Sequence, residues 1–96
     1  MIQQPYIPIP DRWTKFPRDD FDFLVALAKY ANRALGWLAW PSERTLAAWF
    51  NRSRQWVRDH LQTILDRYPD EVKAEQYQKR RAYRLVGLPS PEKLEW

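Results

Sequence analysis

Residues 41–65 contain two short apolar-periodic segments separated by a polar link, and this arrangement limits the folds available to the chain more than any other feature. They read PSERTLAAWFNRSRQWVRDHLQTIL. Ser42 and Ser53 stand where helix N-caps are expected, because a serine side chain can accept a hydrogen bond from the first turn. The pattern therefore predicts one helix over roughly 43–50 and a second over roughly 54–68.

Asn51 is expected to make the bend between these two helices. Asparagine adopts positive φ more readily than most other residues with a Cβ atom, so it can replace glycine at a sharp helix end. Each helix has an apolar side suited to burial: Leu46, Ala47 and Phe50 in the first, and Val57, Leu61, Ile64 and Leu65 in the second. Such a pair either forms a plain helical hairpin around a core or presents its second helix to an acidic partner.

The rest of the chain adds another helix and a region of alternating polarity. A helix should begin near Asp19 and Asp20, whose carboxylates suit a helix N-terminus, and should end at Gly36. Residues 36–42 are either a loop or one brief strand. Residues 71–86 alternate with period two around a basic tip, which favours a β-hairpin, with a short charged helix as the alternative. The predicted order is α-(β)-α-α-β-β.

Length and composition indicate one small domain. The 96 residues suffice for one modest core. We expect an extended N-terminal arm over 1–18, the domain over 19–89 and a short tail over 90–96. The chain has no cysteine, which excludes disulfides and cysteine-ligated metals. It also has no run of 18 apolar residues and no leader, so we expect a cytoplasmic protein that does not enter a membrane.

The charge of the chain is mildly basic and unevenly distributed. The net charge is +4, and residues 42–68 and 69–88 each carry two more basic than acidic side chains. A basic balance favours a polyanionic partner through long-range attraction. Charge alone does not separate such a protein from a basic domain that binds nothing anionic.

Five positions have the spacing of a helix-turn-helix: Leu46, Ala47, Asn51, Ser53 and Val57. A small residue lets two helices cross closely, a turn residue follows four positions later, and a β-branched residue six positions further on fills the crossing. Together with the fuller string PSxxTLAxxxxxSRxxVRxxLxxL, this spacing resembles the winged helix-turn-helix family. It looks most like the winged domains of plasmid replication initiators and of GntR-type repressors.

The resemblance covers roughly residues 7–88 and implies a mainly α fold with a small β-hairpin, which is the fold class we predict. The chain departs from the family in having Asn51 where glycine is commoner. It also departs in its Trp49 and Trp56, which make the expected surface unfamiliar.

The resemblance implies that the second helix of the pair enters the major groove of double-stranded DNA. Four residues would then contact base edges: Arg54, Gln55, Arg58 and Gln62. Arginine can form two hydrogen bonds with guanine, and glutamine can form two with adenine. The alternative is a solvated helix face whose arginines pair with nearby aspartates.

Residues near helix N-termini and in the hairpin would contact the DNA backbone: Ser42, Thr45, Arg52, Ser53, Lys79, Arg80, Arg81 and Arg84. Ser42 and Ser53 are better explained as caps, with phosphate contact as an additional role. The basic tip over 79–81 has the alternative role of keeping the hairpin soluble.

The six tryptophans need a separate interpretation. Three are expected to fill the core: Trp37, Trp40 and Trp49. Trp56 lies one position round from the core, so it either packs within the domain or forms an interface. Trp13 and Trp96, near the two termini, could cover an exposed seam or a second subunit. The candidate interface residues are therefore Trp13, Trp56 and Trp96.

The sequence does not favour an enzyme. His60 is the only histidine, and no glycine-rich phosphate loop or activated nucleophile is present. We interpret the acidic residues Asp19, Asp20 and Asp22 as a helix start and not as a metal site. We therefore expect no catalysis, no cofactor and no metal.

These features favour sequence-selective binding of double-stranded DNA by a small transcriptional regulator or an origin- or element-binding factor of a phage or plasmid. A homodimer on a palindromic or repeated site would increase the DNA contacted. The alternative is a winged-helix module that docks on a protein of a DNA-processing or transcription machine without reading DNA.

Overall fold

Three α-helices and a three-stranded antiparallel sheet form the described part of the chain, residues 7–89 of the computed structural model. The helices are α1 (Arg18–Tyr30), α2 (Glu43–Phe50) and α3 (Arg54–Arg67), and the strands are β1 (Leu38–Ala39), β2 (Lys73–Tyr77) and β3 (Arg80–Arg84). Two 3-10 helices complete the structure, at Asp11–Lys15 and Arg33–Leu35. The predicted order of helices and strands is confirmed.

The hairpin formed by β2 and β3 confirms the strand prediction for residues 71–86. Strand β3 is central and pairs with both β1 and β2. Gln78 and Lys79 at the tip have φ values of 49° and 67°. Because both central residues have positive φ, as a type I′ turn requires, the two strands close tightly without glycine.

The end of α1 differs from its prediction. The helix stops at Tyr30 and not at Gly36, because the Asn32 N–H donates to the Leu38 carbonyl at 2.8 Å and diverts the chain toward the sheet. Gly36 still occupies the left-handed region, at φ 71°, but it ends the short 3-10 helix that follows α1. The bridge to Leu38 is a non-local contact that helical periodicity does not report.

The α2–α3 connection forms as the sequence indicates. Ser42 accepts a hydrogen bond from the Thr45 N–H at 3.0 Å, and Ser53 accepts one from the Trp56 N–H at the same distance. Asn51 lies in the left-handed region, at φ 55° and ψ 48°. The N–H of Arg52 then donates to the Ala47 carbonyl at 3.0 Å, which satisfies a carbonyl at the end of α2.

The core lies between the three helices and one face of the sheet. Its largest fully buried aliphatic side chains come from all three helices and from the two residues that flank the hairpin: Leu24, Leu27, Leu46, Val57, Ile64, Val72 and Leu85. Phe23 of α1 is also fully buried and stacks on Phe50 at a ring-centroid distance of 5.2 Å. This packing fixes α2 and α3 against α1.

Trp13 belongs to this core, which corrects its assignment to an interface. Its side chain is fully buried, and its Nε1 donates to Glu71 Oε1 at 2.9 Å. Arg12 donates to both oxygens of the same carboxylate at 2.6 Å. These bonds are the largest cause of the lowered pKa of Glu71. Trp13 has no surface to offer a partner, because it anchors this part of the chain to the domain.

The three tryptophans that were expected in the core differ in how deeply they are buried. Trp37 is buried, and its Nε1 donates to the Pro89 carbonyl at 2.7 Å. Trp40 is half-buried and packs against Tyr77 at a centroid distance of 4.6 Å. The prediction for Trp49 is wrong: its side chain is 47% exposed, because it lies on the outer side of α2.

A buried carboxylate joins α1 to α3. Asp20 is 2% exposed and accepts hydrogen bonds from Tyr68 Oη at 2.6 Å and from Arg67 Nη1 at 3.0 Å, while His60 Nε2 lies 3.1 Å from its other oxygen. Burial by itself raises the Asp20 pKa, but the hydrogen bonds and positive charges outweigh it, so the pKa is below its ordinary value. The predicted helix start is therefore also a link between helices.

None of the helices within residues 7–89 combines the length and the apolar character needed to cross a membrane.

Candidate nucleic-acid interface

The four α3 residues predicted to contact bases all lie on the exposed side of that helix. Arg54, Gln55, Arg58 and Gln62 are exposed, while Val57, Leu61 and Ile64 are buried on the opposite side. The helix therefore presents its polar face because its apolar face packs on the core. The exposed face also carries Asp59 and Asp66, so it is not uniformly basic.

Arg58 makes a two-point ion pair that the sequence does not reveal. Its Nε and Nη2 donate to the two carboxylate oxygens of Glu43, at 3.1 and 2.9 Å. Glu43 is the first residue of α2, so the pair joins the starts of α2 and α3 across the turn. No sequence pattern reports this contact, because the partners are 15 residues apart in different helices.

The two glutamines are held by carboxylates one helical turn further on. Gln55 Nε2 donates to Asp59 Oδ1 at 2.8 Å, and Gln62 Nε2 donates to Asp66 Oδ1 at 3.0 Å. Arg54 differs from them, since it forms no hydrogen bond or ion pair with the residues that the structure describes. It is therefore the most available of the four side chains.

Three arginines from two parts of the chain act on the Glu43 carboxylate. The hydrogen bonds from Arg58 are the main cause of its lowered pKa, and the charges of Arg54 and Arg81 lower it further. Arg81 lies on β3, whereas the other two lie on α3. The fold thus gathers basic groups from α3 and the hairpin around the N-terminus of α2.

The residues predicted to contact phosphate at the helix N-termini have structural roles in the fold. Ser42 and Ser53 are exposed and serve as N-caps, and the Ser42 hydroxyl also donates to Thr45 Oγ1 at 2.9 Å. Arg52 is exposed, with its guanidinium carbon 5.1 Å from the Trp56 ring centroid. All of these residues lie near the N-terminus of α2 or of α3.

The basic tip of the hairpin remains available to a ligand. Lys79, Arg80 and Arg81 are exposed and form no ion pair with any residue in the 7–89 range. Arg84, the fourth hairpin residue predicted to contact phosphate, differs from these three because the fold already engages its side chain. Its Nε and Nη2 donate to Glu75 at 2.6 and 3.0 Å, and its Nη1 donates to two carbonyls before β1. The guanidinium therefore joins β3 to β2 and to the end of the 3-10 helix before β1.

The remaining interface candidates have different placements. Trp56 is half-buried and packs on Phe50 and His60, at centroid distances of 5.5 and 4.9 Å. It belongs to the aromatic cluster between the helices, which favours its packing role. Trp96 lies outside the described residues, as do the first part of the predicted arm and the whole of the predicted tail.

A groove beside this basic surface was not indicated by the sequence. It has a volume of about 800 Å³ and lies between the N-terminus of α2, the end of α1 and β3. Tyr30, Trp40 and Tyr83 line it together with Arg80 and Arg81. The lining comes from three separate stretches of the chain, so periodicity could not have grouped it.

No family model matches the chain, and neither a curated protein nor a solved structure matches it.

Proposed function

We propose that this chain is a winged helix-turn-helix protein that binds double-stranded DNA sequence-selectively. Supporting this proposal, α2 and α3 are joined by a tight turn at Asn51, and a basic hairpin follows α3. In this arrangement α3 enters the major groove while the hairpin tip and the helix starts contact phosphates.

One observation carries the proposal: basic side chains of α3 and of the hairpin surround the same end of α2. Arg58 of α3 donates to Glu43 at 2.9 and 3.1 Å, and Glu43 lines one groove together with Arg80 and Arg81 of β3. A plain helical hairpin has no need for this convergence. A surface that approaches a duplex does need it, because phosphates flank the groove in which the bases are contacted.

The base contacts follow from the chemistry of the exposed side chains. Arg54 is free to form two hydrogen bonds with guanine O6 and N7. Arg58 must first leave Glu43, or must share its guanidinium with it. Glu43 therefore opposes DNA binding in two ways, by occupying an arginine and by placing a negative charge on the basic surface.

Substituting Glu43→Gln is expected to increase the affinity for duplex DNA by about tenfold at low salt, because it frees Arg58 and removes one repelled charge. Fluorescence anisotropy of a labelled random-sequence duplex measures the change. Asp22→Asn is the matched control, since Asp22 also pairs with an arginine, Arg18, at 3.2 Å. Unchanged or weaker binding by Glu43→Gln, or an equal gain in the control, would count against this surface.

Under this proposal the protein acts by occupying a DNA site. It is either a small transcriptional regulator or an origin- or element-binding factor of a phage or plasmid, and a homodimer would match a palindromic site. No effector site is part of the proposal.

A second candidate function, docking on another protein, is favoured by a different surface. Trp49 and Tyr30 are 47% and 37% exposed and contact each other edge-to-face at 5.7 Å, with Lys29 Nζ 5.4 Å from the Trp49 ring centroid. Exposed aromatic rings are enriched where proteins bind partners. This function would depend on Trp49, whereas DNA binding would depend on Arg54.

A further inference from the structure

The groove between α2, the end of α1 and β3 has walls of two chemical kinds. Its apolar wall contains the rings of Tyr30, Trp40 and Tyr83. Trp40 packs against Tyr77 at a centroid distance of 4.6 Å, and Tyr30 is 37% exposed. The volume of about 800 Å³ is in the range of small-molecule sites. The rings of Tyr30 and Trp40 therefore offer aromatic surface to a flat ligand, whereas Tyr83 is only 3% exposed.

The same lining carries positive charge. Arg80 and Arg81 line the groove and form no ion pair with residues of the described range. The Glu43 carboxylate also reaches the groove, but Arg58 holds it through two hydrogen bonds. The net charge at the opening is therefore positive, which suits an anionic group.

Hydroxyl groups lie at the same place. Ser42 and Thr45 line the groove at the first turn of α2, where the helix dipole also favours an anion. Tyr83 is only 3% exposed, and its hydroxyl forms no hydrogen bond with residues 7–89. Burial raises the pKa of this hydroxyl, and the charges of Arg81 and Glu43 act on it in opposite directions. The hydroxyl thus lies beside the charged wall without a partner of its own.

We propose that this groove binds one unpaired nucleotide, with its base against the aromatic rings and its phosphate on Arg80 and Arg81. A phosphate alone would use the arginines but leave the rings of Tyr30 and Trp40 without a role. A nucleotide uses both, since bases of every type stack on aromatic side chains. Both DNA and RNA supply this unit. The site goes beyond duplex reading, because it does not involve the exposed face of α3.

The test uses fluorescently labelled tetranucleotides and the full chain at low salt. Thymidine DNA and uridine RNA tetramers are compared with an abasic sugar–phosphate tetramer of the same charge, by anisotropy. We expect at least one of the base-containing tetramers to bind about tenfold more tightly than the abasic tetramer, because only they can stack. A preference between the DNA and RNA tetramers identifies the type of strand. Equal affinity for all three would overturn the proposal, as would no binding.

Substitutions locate the site. Tyr30→Ala is expected to weaken tetramer binding by about tenfold, while Tyr30→Phe, which keeps the ring, should retain it. The control is Val86→Ala, which truncates an exposed apolar side chain outside the groove lining. Equal losses in Tyr30→Ala and Val86→Ala would contradict a site in the groove.

Of the charge variants, only Arg54→Ala separates this proposal from duplex binding, because the proposed duplex surface also uses Arg80 and Arg81. Arg80→Ala with Arg81→Ala is expected to lower tetramer affinity by about tenfold or more. The control pair is Lys15→Ala with Arg18→Ala, which loses the same charge. Arg18 is about 18 Å from Tyr30 along α1. Arg54→Ala should leave tetramer binding within about twofold while weakening duplex binding. A loss of tetramer binding in Arg54→Ala would place the strand on α3 and refute the groove site.

Discussion

Replacing Arg54 and Arg58 together with alanine is expected to lower the affinity for a selected duplex by about 100-fold or more. Each arginine can form a two-point contact with a guanine, and each such contact carries discrimination against other bases. The loss should be smaller on random-sequence duplex, because the hairpin tip and the helix starts still contact phosphates. Anisotropy titrations of both duplexes measure the two affinities.

The control for this double substitution is Lys15→Ala with Arg18→Ala, which removes two positive charges at the far end of α1. Thermal unfolding of both variants shows whether they are folded. Equal losses in the two double variants would mean that only net charge matters. A loss that is the same on selected and random duplex would mean that these arginines do not read bases.

The second large effect concerns stability. Asp20→Ala is expected to lower the free energy of unfolding by about 3 kcal/mol, because it leaves Tyr68, Arg67 and His60 without a common acceptor at a buried site. Urea unfolding measures the change. Asp22→Ala is the control, since its partner Arg18 is exposed and such pairs contribute about 0.5 kcal/mol. If Asp20→Ala lowers the free energy of unfolding no more than Asp22→Ala does, the structural link between α1 and α3 is refuted.

The same network gives stability a defined pH dependence. The pKa of Asp20 is lower in the folded protein than its ordinary value of 3.8. Its contribution to the free energy of unfolding is therefore complete above that pH and is lost as pH falls through the folded pKa.

Tyr68 gives a second pH effect, at alkaline pH. Burial and the hydrogen bond to Asp20 raise the pKa of Tyr68 from 10.0 to about 12, so its contribution to the free energy of unfolding is lost as pH rises from 10 toward 12. Tyr68→Phe should flatten this alkaline decline in urea unfolding. An unchanged decline in Tyr68→Phe would contradict the assignment of this pH effect to Tyr68.

Local sequence features predicted much of the fold because their structural effects are local. The serine caps act within one helical turn, Asn51 needs only its own left-handed conformation, and the alternation in 71–86 follows from the pleat of a strand. The end of α1 was placed wrongly because a bond from Asn32 to Leu38, outside the helix, decides it.

The side-chain partners in the candidate site could not be predicted in the same way. The exposed face of α3 follows from helical periodicity, but the pairing of Arg58 with Glu43 depends on how closely two helices cross. The buried Asp20 and its partner Tyr68 are 48 residues apart, so Asp20 reads in sequence as an ordinary helix start. Such contacts arise from packing and are not encoded by spacing along the chain.

The central claim, sequence-selective binding of duplex DNA, is tested most directly by selection from random duplexes with the full chain. The enriched duplex is then titrated from low to moderate salt. We predict a defined motif, whose symmetry reports the number of bound copies. The slope of log affinity against log salt should be about −3.6, because Arg52, Lys79, Arg80 and Arg81 neutralise four phosphates. Absence of enrichment, with only weak binding that moderate salt abolishes, would contradict the claim and favour protein docking through Trp49.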